Sequence, residues 1–336
     1  MKVTIRDIAY DLPGPGVTNK ALAEENPDWQ MAQAETLSGV LKRHVAPENE
    51  TALDLARRAC ERLFSAHPGL REQTDAVIFC TQSPDYIMPP NACVLHKELR
   101  LSEDTFCLDL NAACSGYIYG LAVVRGLMLS GMARNALLIN ADTYSRFTHK
   151  KDRATRILFS DAAAVSWIAP AEDARGVVDI QCSTGGKYYE SCIIPAGGFR
   201  KPKSGETSLA SVDASGNTRT AENLHMDGMA ILGFVNSRVP KQIRSLLERN
   251  QRSLEDVDLF IFHQASKMAL DCLTKLLGIP PERVFSNLRD VGNTVSASIP
   301  IAFKDARESG RLKPGQRVLL AGFGAGLSWG SALLEV

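Results

Sequence analysis

The 336-residue chain lacks an excess of charge of either sign, and it lacks a long apolar run. Lys and Arg together number 38, and so do Asp and Glu, so the formal net charge at pH 7 is zero. This balance argues against bulk electrostatic attraction to nucleic acid or to an anionic membrane surface. No run approaches the roughly 18 apolar residues of a membrane span, and the first residues lack the apolar core of a signal peptide. We therefore expect a cytoplasmic protein without a nucleic-acid partner and without a membrane span.

Motifs for metal ions, nucleotides and disulfide frameworks are also missing from the sequence. The eight cysteines form no Cys-x-x-Cys pair, and neither a metal-ligand spacing nor a Walker loop occurs, so we expect reduced thiols and no metal. The glycine-rich segment 322–326 resembles a dinucleotide-binding loop only weakly, because the ten residues after it are too few for a βαβ unit. A turn that offers backbone amides to an oxyanion fits this segment better.

One cysteine, Cys114, differs from the other seven in its surroundings. A strand-like run, 105–110, precedes it, and a helical pattern follows it from Ser115 to about Leu129. The thiol would then lie at the first turn of a helix, where the aligned peptide dipoles favour the thiolate. Small residues on both sides leave room for a substrate to reach the sulfur. The sequence therefore predicts a cysteine nucleophile here, whereas the other cysteines fit the role of small buried hydrophobic residues.

The chain contains one pattern of strands and helices twice. Strands 75–79 and 258–262 each follow an amphipathic helical pattern, at 51–65 and 229–249 respectively, and each strand ends in a polar cluster. In both copies a helix, a strand, a tight turn, another helix and a closing strand come next. Such alternation predicts parallel sheets with helices on their faces. We expect an α/β protein of two similar halves, residues 1–172 and 173–336.

The duplication is expected to bring polar residues of both halves to one place. Ligands of open α/β sheets bind outside the carboxyl ends of the strands, and Cys114, His263 and Asn293 all lie at such ends. Taken singly, His263 could be a hydrogen-bonded core residue, and Asn293 could be a helix N-cap or a turn residue. Only the symmetric placement of all three favours a shared site. A cysteine protease uses the same residue types, but its Cys-Gly-x-Cys-Trp signature is absent.

The composition of the polar segment 200–222 predicts an exposed loop or lid.

Four segments together carry a resemblance to a known family. They are DLNAACSGY at 109–117, HQAS at 263–266, GNTVSASIP at 292–300 and GFGAGLSWGS at 322–331. In this order and spacing, and over essentially the whole chain, the sequence resembles the β-ketoacyl-acyl-carrier-protein synthase III family (ketosynthase III) of the thiolase superfamily. The resemblance implies a thiolase-like duplicated five-layered αβαβα sandwich, usually a homodimer.

The resemblance also implies a reaction and the residues that perform it. An acyl thioester would load onto Cys114. A malonyl thioester, expected on acyl-carrier protein, would then lose carbon dioxide while His263 and Asn293 donate hydrogen bonds to its thioester carbonyl. The enolate attacks the acyl-cysteine and gives a 3-oxoacyl thioester, while backbone amides of Cys114 and of the turn Gly324-Ala325-Gly326 hold the oxyanion. No cofactor is implied beyond the phosphopantetheine of acyl-CoA or of the carrier protein.

Positions that bind coenzyme A in the family depart from its pattern in this chain. Trp29 lies several residues further upstream than the family's tryptophan, and the position of an accompanying arginine reads Leu37. Arg153 does match a second arginine that contacts the nucleotide. These differences favour a donor bound to carrier protein over coenzyme A.

Positions for the acyl chain and the carrier protein also differ from the family pattern. Ser266 replaces a frequent asparagine, and Lys267 lies beside the position of a basic carrier-docking residue, which reads Met268. Met88 aligns with a phenylalanine that many members insert across the dimer into the partner's acyl pocket, and its flexible side chain would admit a longer or unusual acyl chain. Together the differences favour a specialised paralogue, as in secondary metabolism, over the initiator of ordinary fatty-acid synthesis.

Two other functions remain open on the sequence alone. A non-condensing acyltransferase on the same fold would move the acyl group from Cys114 to an alcohol or amine, with His263 as the base. A catalytically silent subunit would support a paired ketosynthase. The intact set of Cys114, His263 and Asn293 argues against the silent subunit, and Asn293 favours condensation, since a simple acyl shuttle does not need two enolate-stabilising donors.

Overall fold

The computed structural model describes residues 2–172 and 175–336. Residues 173 and 174, where the sequence places the start of the second half, lie outside the described residues. Most of the described chain forms two five-stranded sheets with helices between them and on their outer faces.

The first sheet is built from residues before 172. Its strands lie in the spatial order β1-β7-β6-β4-β5. They are β1 (Val3–Asp11), β4 (Ala76–Cys80), β5 (Phe106–Leu110), β6 (Ala136–Asp142) and β7 (Ala162–Pro170). Strand β4 pairs in parallel with both β5 and β6, whereas β7 pairs antiparallel with β6 and β1.

The second sheet repeats this arrangement with residues after 175. Its spatial order is β14-β13-β15-β16-β8. The strands are β8 (Gly176–Thr184), β13 (Leu259–Phe262), β14 (Val284–Phe285), β15 (Arg317–Gly324) and β16 (Ser328–Glu335). Strand β13 pairs in parallel with β14 and β15, and β16 pairs antiparallel with β15 and β8.

The expectation of parallel sheets is therefore wrong for two strand pairings in each sheet, and both of them involve one reversed strand, β7 or β16. A parallel neighbour requires a crossover connection, usually a helix that packs on the sheet. The connection from β15 to β16 is a turn of three residues, 325–327, and it forces the chain to reverse. The connection from β6 to β7 contains only short helical turns and also reverses the chain.

Two helices lie between the sheets and two pairs of helices cover the outer faces. The inner helices are α6 (Gly116–Leu129) and α11 (Ser298–Glu308), and their apolar side chains share one core with residues of both sheets. The outer pairs are α3 (Ala52–Ala66) with α5 (Asn91–Leu99) on the first sheet, and α8 (Gly228–Arg249) with α9 (Lys267–Leu277) on the second. The five layers confirm the predicted αβαβα fold class.

Shorter elements surround these layers. The remaining helices are α1 (Asn19–Glu25), α2 (Met31–Ser38), α4 (Leu70–Gln73), α7 (Arg153–Arg156) and α10 (Leu288–Val291). Short 3-10 segments occur at Tyr144–Phe147, Gly186–Ser191, Leu254–Asp256, Pro281–Arg283 and Val295–Ala297, and the second of them is kinked at Tyr188. Three two-stranded pairs join β2 (Val17–Thr18) to β3 (Lys42–Arg43), β9 (Cys192–Ile193) to β12 (His225–Met226), and β10 (Ser211–Val212) to β11 (Thr218–Arg219). Within the described ranges, every helix is too short or too polar to cross a bilayer.

The polar segment 200–222 is a mostly exposed loop that contains the β10–β11 hairpin. Arg219 fastens the hairpin to the first half of the chain, because its Nε donates to Asp152 Oδ2 at 2.7 Å. Asp152 is fully buried, and Asp213 lies on the other side of the guanidinium at 3.2 Å. This buried ion pair holds the base of the loop in place.

Candidate active site

Cys114, His263 and Asn293 line one cavity of about 200 Å³ between the two halves. Each side chain comes from a loop at the carboxyl end of a strand or from the turn before a helix. Cys114 lies between β5 and α6, His263 follows β13, and Asn293 lies between α10 and α11. The structure therefore brings together the three residues that the sequence singled out.

The backbone of β15 approaches the sulfur of Cys114 closely. A Cβ added at Gly324 would lie 2.8 Å from Cys114 Cβ and 3.0 Å from its Sγ. A Cβ added at Gly322 would lie 2.8 Å from the Cys114 carbonyl oxygen. Only glycine lets the strand of the second half come this near to the turn of the first. The glycine-rich turn thus borders the sulfur of Cys114, and Ala325 lines the same cavity.

The free thiol of Cys114 is held in its protonated form. Burial raises the pKa of Cys114 well above its ordinary value, and the nearby Cys192 and Asp142 raise it further. The backbone N–H of Cys114 acts in the opposite direction but does not prevail. Burial of the sulfur therefore opposes the helix N-terminus, whose dipole favours the thiolate.

His263 is neutral and fixed in orientation. Its Nδ1 lies 2.7 Å from the hydroxyl oxygen of Ser298, the first residue of α11. Burial lowers the pKa of His263 to about 3, so the imidazole carries no charge near pH 7. The ring meets Phe323 edge-on, with the centroids 5.6 Å apart. In the tautomer whose Nδ1 accepts from the Ser298 hydroxyl, Nε2 carries the proton.

The hydrogen bonds of Asn293 assign its amide orientation. Its Oδ1 accepts from the backbone N–H of Val295 at 3.0 Å, and its Nδ2 donates to the Ala265 carbonyl at 3.3 Å. The amide nitrogen has a second N–H, which is available to a ligand in the cavity that Asn293 lines. Val295 has φ 53°, a left-handed conformation that is strained for a β-branched residue.

The backbone of Asn293 is anchored by the first half of the chain. Its N–H donates to the Leu158 carbonyl at 2.9 Å, and its carbonyl accepts from Ser160 at 2.8 Å. Phe159, between these two residues, lines the cavity. Both halves therefore position this side chain.

Three of the other predicted residues lie at the start of α9. Ser266 is the N-cap, accepting from Ala269 at 3.2 Å, and it also lines the catalytic cavity together with Met268. Lys267 turns to a neighbouring surface groove of about 700 Å³ and pairs with Asp271. These residues share one helix turn but face different spaces.

The remaining predicted residues lie outside the catalytic cavity of this single chain. Trp29 packs against a small cluster formed by Leu22 and Ala34. Arg153 is the first residue of α7. Met88 is 79% exposed on the loop between β4 and α5.

Sequence reasoning missed three residues of the site. Ser298, which contacts His263, lies in the segment 292–300 that also contains Asn293. Its closeness to Asn293 in the sequence could have indicated that it belongs to the site. Tyr144 and Cys192 line the catalytic cavity and also a second cavity of about 520 Å³ on the other side of the Cys114 turn. Neither follows from a sequence pattern.

Comparisons with known proteins agree on one family. Family models for 3-oxoacyl-[acyl-carrier-protein] synthase III match residues 108–186, and those for its C-terminal part match residues 247–336. The chain is 35% identical over 316 residues to a β-ketoacyl-[acyl-carrier-protein] synthase III of Solibacter usitatus, covering 93% of this chain and 91% of the relative.

Solved structures show the same likeness. A crystal structure of a 3-oxoacyl-(acyl-carrier-protein) synthase III superposes with TM-score 0.97 and 38% identity, over 100% of both chains. A 3-oxoacyl-(acyl-carrier protein) synthase from Burkholderia xenovorans LB400 superposes with TM-score 0.92 and 32% identity, over 100% of this chain and 94% of the other.

Proposed function

Because the chain belongs to the 3-oxoacyl-[acyl-carrier-protein] synthase III family, we propose that Cys114, His263 and Asn293 carry out the condensing reaction of this acyltransferase. The substrates are an acyl thioester and a malonyl thioester, and the product is a 3-oxoacyl thioester. The observation that carries this assignment of residues is their convergence on one cavity beside the Gly324 backbone.

The first half-reaction transfers the acyl group to sulfur. Cys114 Sγ attacks the thioester carbon, and the thiol proton passes to the departing thiolate sulfur. This proton transfer accompanies the attack because burial favours the protonated thiol. The backbone amides beside Gly324 and Cys114 hold the oxyanion of the tetrahedral intermediate. The result is an acyl-cysteine and a free thiol.

The second half-reaction forms the carbon–carbon bond. The thioester carbonyl of the malonyl group accepts hydrogen bonds from His263 Nε2–H and from the second N–H of Asn293. Loss of carbon dioxide leaves an enolate, whose negative oxygen those two donors stabilise. The enolate carbon attacks the acyl carbonyl on Cys114, the carbon–sulfur bond breaks, and the cysteine thiolate takes up a proton from solvent.

The amide of Asn293 favours condensation over simple acyl transfer. Its Oδ1 accepts from the Val295 backbone and one N–H donates to Ala265, which leaves the second N–H as a donor for a ligand. A donor at this place suits a developing enolate oxygen. Simple acyl transfer with His263 as the base would have no use for this donor.

Variants of Cys114 and Asn293 separate the two half-reactions. The assay incubates the protein with an acyl thioester and malonyl-carrier protein, and follows enzyme and carrier by intact mass spectrometry. Cys114→Ala should abolish the acyl adduct. Asn293→Ala should still load but should condense about a hundredfold more slowly, corresponding to the loss of one oxyanion-type donor. Cys93→Ala, which removes an exposed cysteine on α5, serves as the matched control.

Retention of the adduct in Cys114→Ala would refute the assignment of the nucleophile. Equal condensation rates for Asn293→Ala and the unaltered protein would refute the role of the amide. An adduct that forms normally and never reacts with malonyl-carrier protein would instead support transfer to another acceptor.

We also propose that acyl-carrier protein docks at the groove beside Lys267. Lys275 and Arg289 line the same groove. Its charged residues are therefore three cations and one anion, Asp271. Its edge at Lys267 adjoins Met268, which lines the catalytic cavity, so a carrier bound here could extend its phosphopantetheine inwards. Lys275→Glu should raise KM for malonyl-carrier protein severalfold and leave KM for malonyl-pantetheine unchanged. Lys97→Glu on α5 is the control, and an effect on both substrates would refute docking.

A homodimer is the proposed assembly. Strand β5 lies at the edge of its sheet with Leu108 exposed, and the adjacent loop exposes Ile87 and Met88 to 85% and 79%. An unpaired edge beside an apolar loop is a ready surface for a second copy. Leu108→Lys should halve the mass measured by light scattering, whereas Leu209→Lys in segment 200–222 should not. A monomeric unaltered protein would refute the proposal.

A further inference from the structure

The second cavity, of about 520 Å³, lies beside Cys114 but away from His263 and Asn293. It shares four wall residues with the catalytic cavity, which are Ala113, Tyr144, Cys192 and Ala325. Its other walls include the loops after β4 and β5 and the first turns of α6. The turn that carries Cys114 therefore separates two spaces with different linings.

The order of the reaction decides which part of the substrate occupies this space. During condensation the malonyl thioester must lie against His263 and Asn293, so the acyl group on Cys114 must extend elsewhere. The second cavity is contiguous with the Cys114 turn through Ala113 and Ala325. This assignment rests on the proposed function above, and it makes the second cavity the acyl site.

A chain of hydrogen bonds forms part of this acyl site. The hydroxyl of Tyr144 donates to Gln82 Oε1 at 3.2 Å, and Gln82 Nε2 donates to Asn111 Oδ1 at 3.4 Å. All three residues line the cavity. Burial raises the pKa of Tyr144, so its phenol stays protonated and remains a donor. Gln82 Nε2 retains a second N–H, and the Tyr144 oxygen retains its capacity to accept.

The lining of the acyl site joins the apolar side chains of Phe147, Ile193 and Leu224 to the hydrogen-bonded polar chain, and it carries no charge. Among the described residues that form it, there is no Lys, Arg, His, Asp or Glu. A carboxylate or ammonium group in the acyl chain would lose water and find no opposite charge, which is unfavourable. A plain alkyl chain would contact the apolar part of the lining but would leave the second N–H of Gln82 without a partner, which is less favourable than a hydrogen bond.

We infer that the acyl group carried by Cys114 is neutral and bears a hydroxyl group that Gln82 and Tyr144 recognise. Such a hydroxyl can accept from the free N–H of Gln82 and donate to the phenolic oxygen of Tyr144. The pair makes Gln82 a specificity-determining residue for the loading step. The hydrogen bond from the backbone N–H of Gln82 to Asp142, 2.7 Å, fixes the loop independently of its side chain.

Matched acyl thioesters, each presented both on coenzyme A and on acyl-carrier protein, test this inference. The probes are the butyryl thioester against the 3-hydroxybutyryl and 4-hydroxybutyryl thioesters, with the succinyl thioester as a charged probe. The readout is kcat/KM for formation of the Cys114 adduct by intact mass. The unaltered protein should load at least one hydroxyacyl group about tenfold or more faster than butyryl, and succinyl most slowly. Gln82→Met should bring the hydroxyacyl-to-butyryl ratio close to one. Gln73→Met on α4, the same exchange at an exposed site, should leave the ratio unchanged.

The outcomes distinguish this inference from the proposed function. The inference is overturned if butyryl and both hydroxybutyryl groups load equally. It is also overturned if Gln82→Met keeps the melting temperature and the hydroxyacyl-to-butyryl ratio of the unaltered protein. In either case the proposed function still holds if the adducts condense with malonyl-carrier protein. Absence of any adduct on Cys114, from every thioester, overturns both.

Discussion

Replacing Gly324 by alanine should slow acyl loading because the new methyl group would press on the nucleophile. The added Cβ would lie 3.0 Å from Cys114 Sγ and 2.8 Å from Cys114 Cβ. To reach a contact of 3.4 Å, the sulfur must move by about 0.4 Å and Cβ by about 0.6 Å. A misplacement of about 1 Å at a reacting centre can cost about a hundredfold in rate, so we expect a loss between about tenfold and a hundredfold.

The assay for Gly324→Ala is the rate of Cys114 adduct formation, measured together with the melting temperature. Overpacking of this kind costs about 1–3 kcal/mol, so the variant should fold and melt at a lower temperature. Gly205→Ala provides the control, because a Cβ at Gly205 has open space around it and its φ is not in the left-handed region. Loading by Gly324→Ala within twofold of the unaltered protein would show that β15 does not constrain the sulfur, and the reasoning would be refuted.

Three further changes probe the surroundings of the site. Ser298→Ala removes the partner of His263 Nδ1, and condensation should slow by about tenfold or more, with KM for the malonyl substrate little changed; an unchanged kcat would contradict the role of Ser298. Asp142→Asn should flatten the pH dependence of stability. Burial raises the pKa of Asp142 to about 7, so its contribution to the folded state is present below pH 4 and is lost as the pH rises towards 7; urea unfolding at pH 4 to 7 measures the change, and identical curves for both proteins would contradict it. Arg219→Leu leaves buried Asp152 without its cation and should destabilise the fold by about 3–5 kcal/mol, measured in the same way; a loss below about 1 kcal/mol would show that the pair is not structural.

Regular elements follow from the sequence because their signals are local. The helix predicted at 51–65 is observed at Ala52–Ala66, and the one predicted at 229–249 is observed at Gly228–Arg249. Thr51 begins the first of these with a capping box, and Asp227 accepts a hydrogen bond at the start of the second. Apolar periodicity and a polar cap are both readable within a few residues.

The properties of the site residues are less readable, because they depend on contacts between distant parts of the chain. The contact of His263 with Ser298 and the hydrogen bond of Tyr144 with Gln82 join positions 35 and 62 residues apart. The pKa of Cys114 shows the difference most clearly, since the local dipole predicted a thiolate and tertiary burial produces a thiol. Sequence thus predicted which side chains meet but not how their surroundings tune them.

The nucleophile is placed by packing between the two halves of the chain. The small residues around Cys114 and the glycines of β15 face each other, and neither set would allow this approach alone. A methyl group at Gly322 would meet the Cys114 carbonyl oxygen and the Ser115 Cα at 2.8 and 3.0 Å. The hydroxyls of Ser115 and Ser328 then join the two turns at 2.7 Å. Because one half supplies the sulfur of Cys114 and the other supplies the backbone next to it, the geometry of the proposed active site depends on the docking of both sheets. Substitutions in the central helices α6 and α11 that disturb this docking should therefore lower activity even where the secondary structure stays intact.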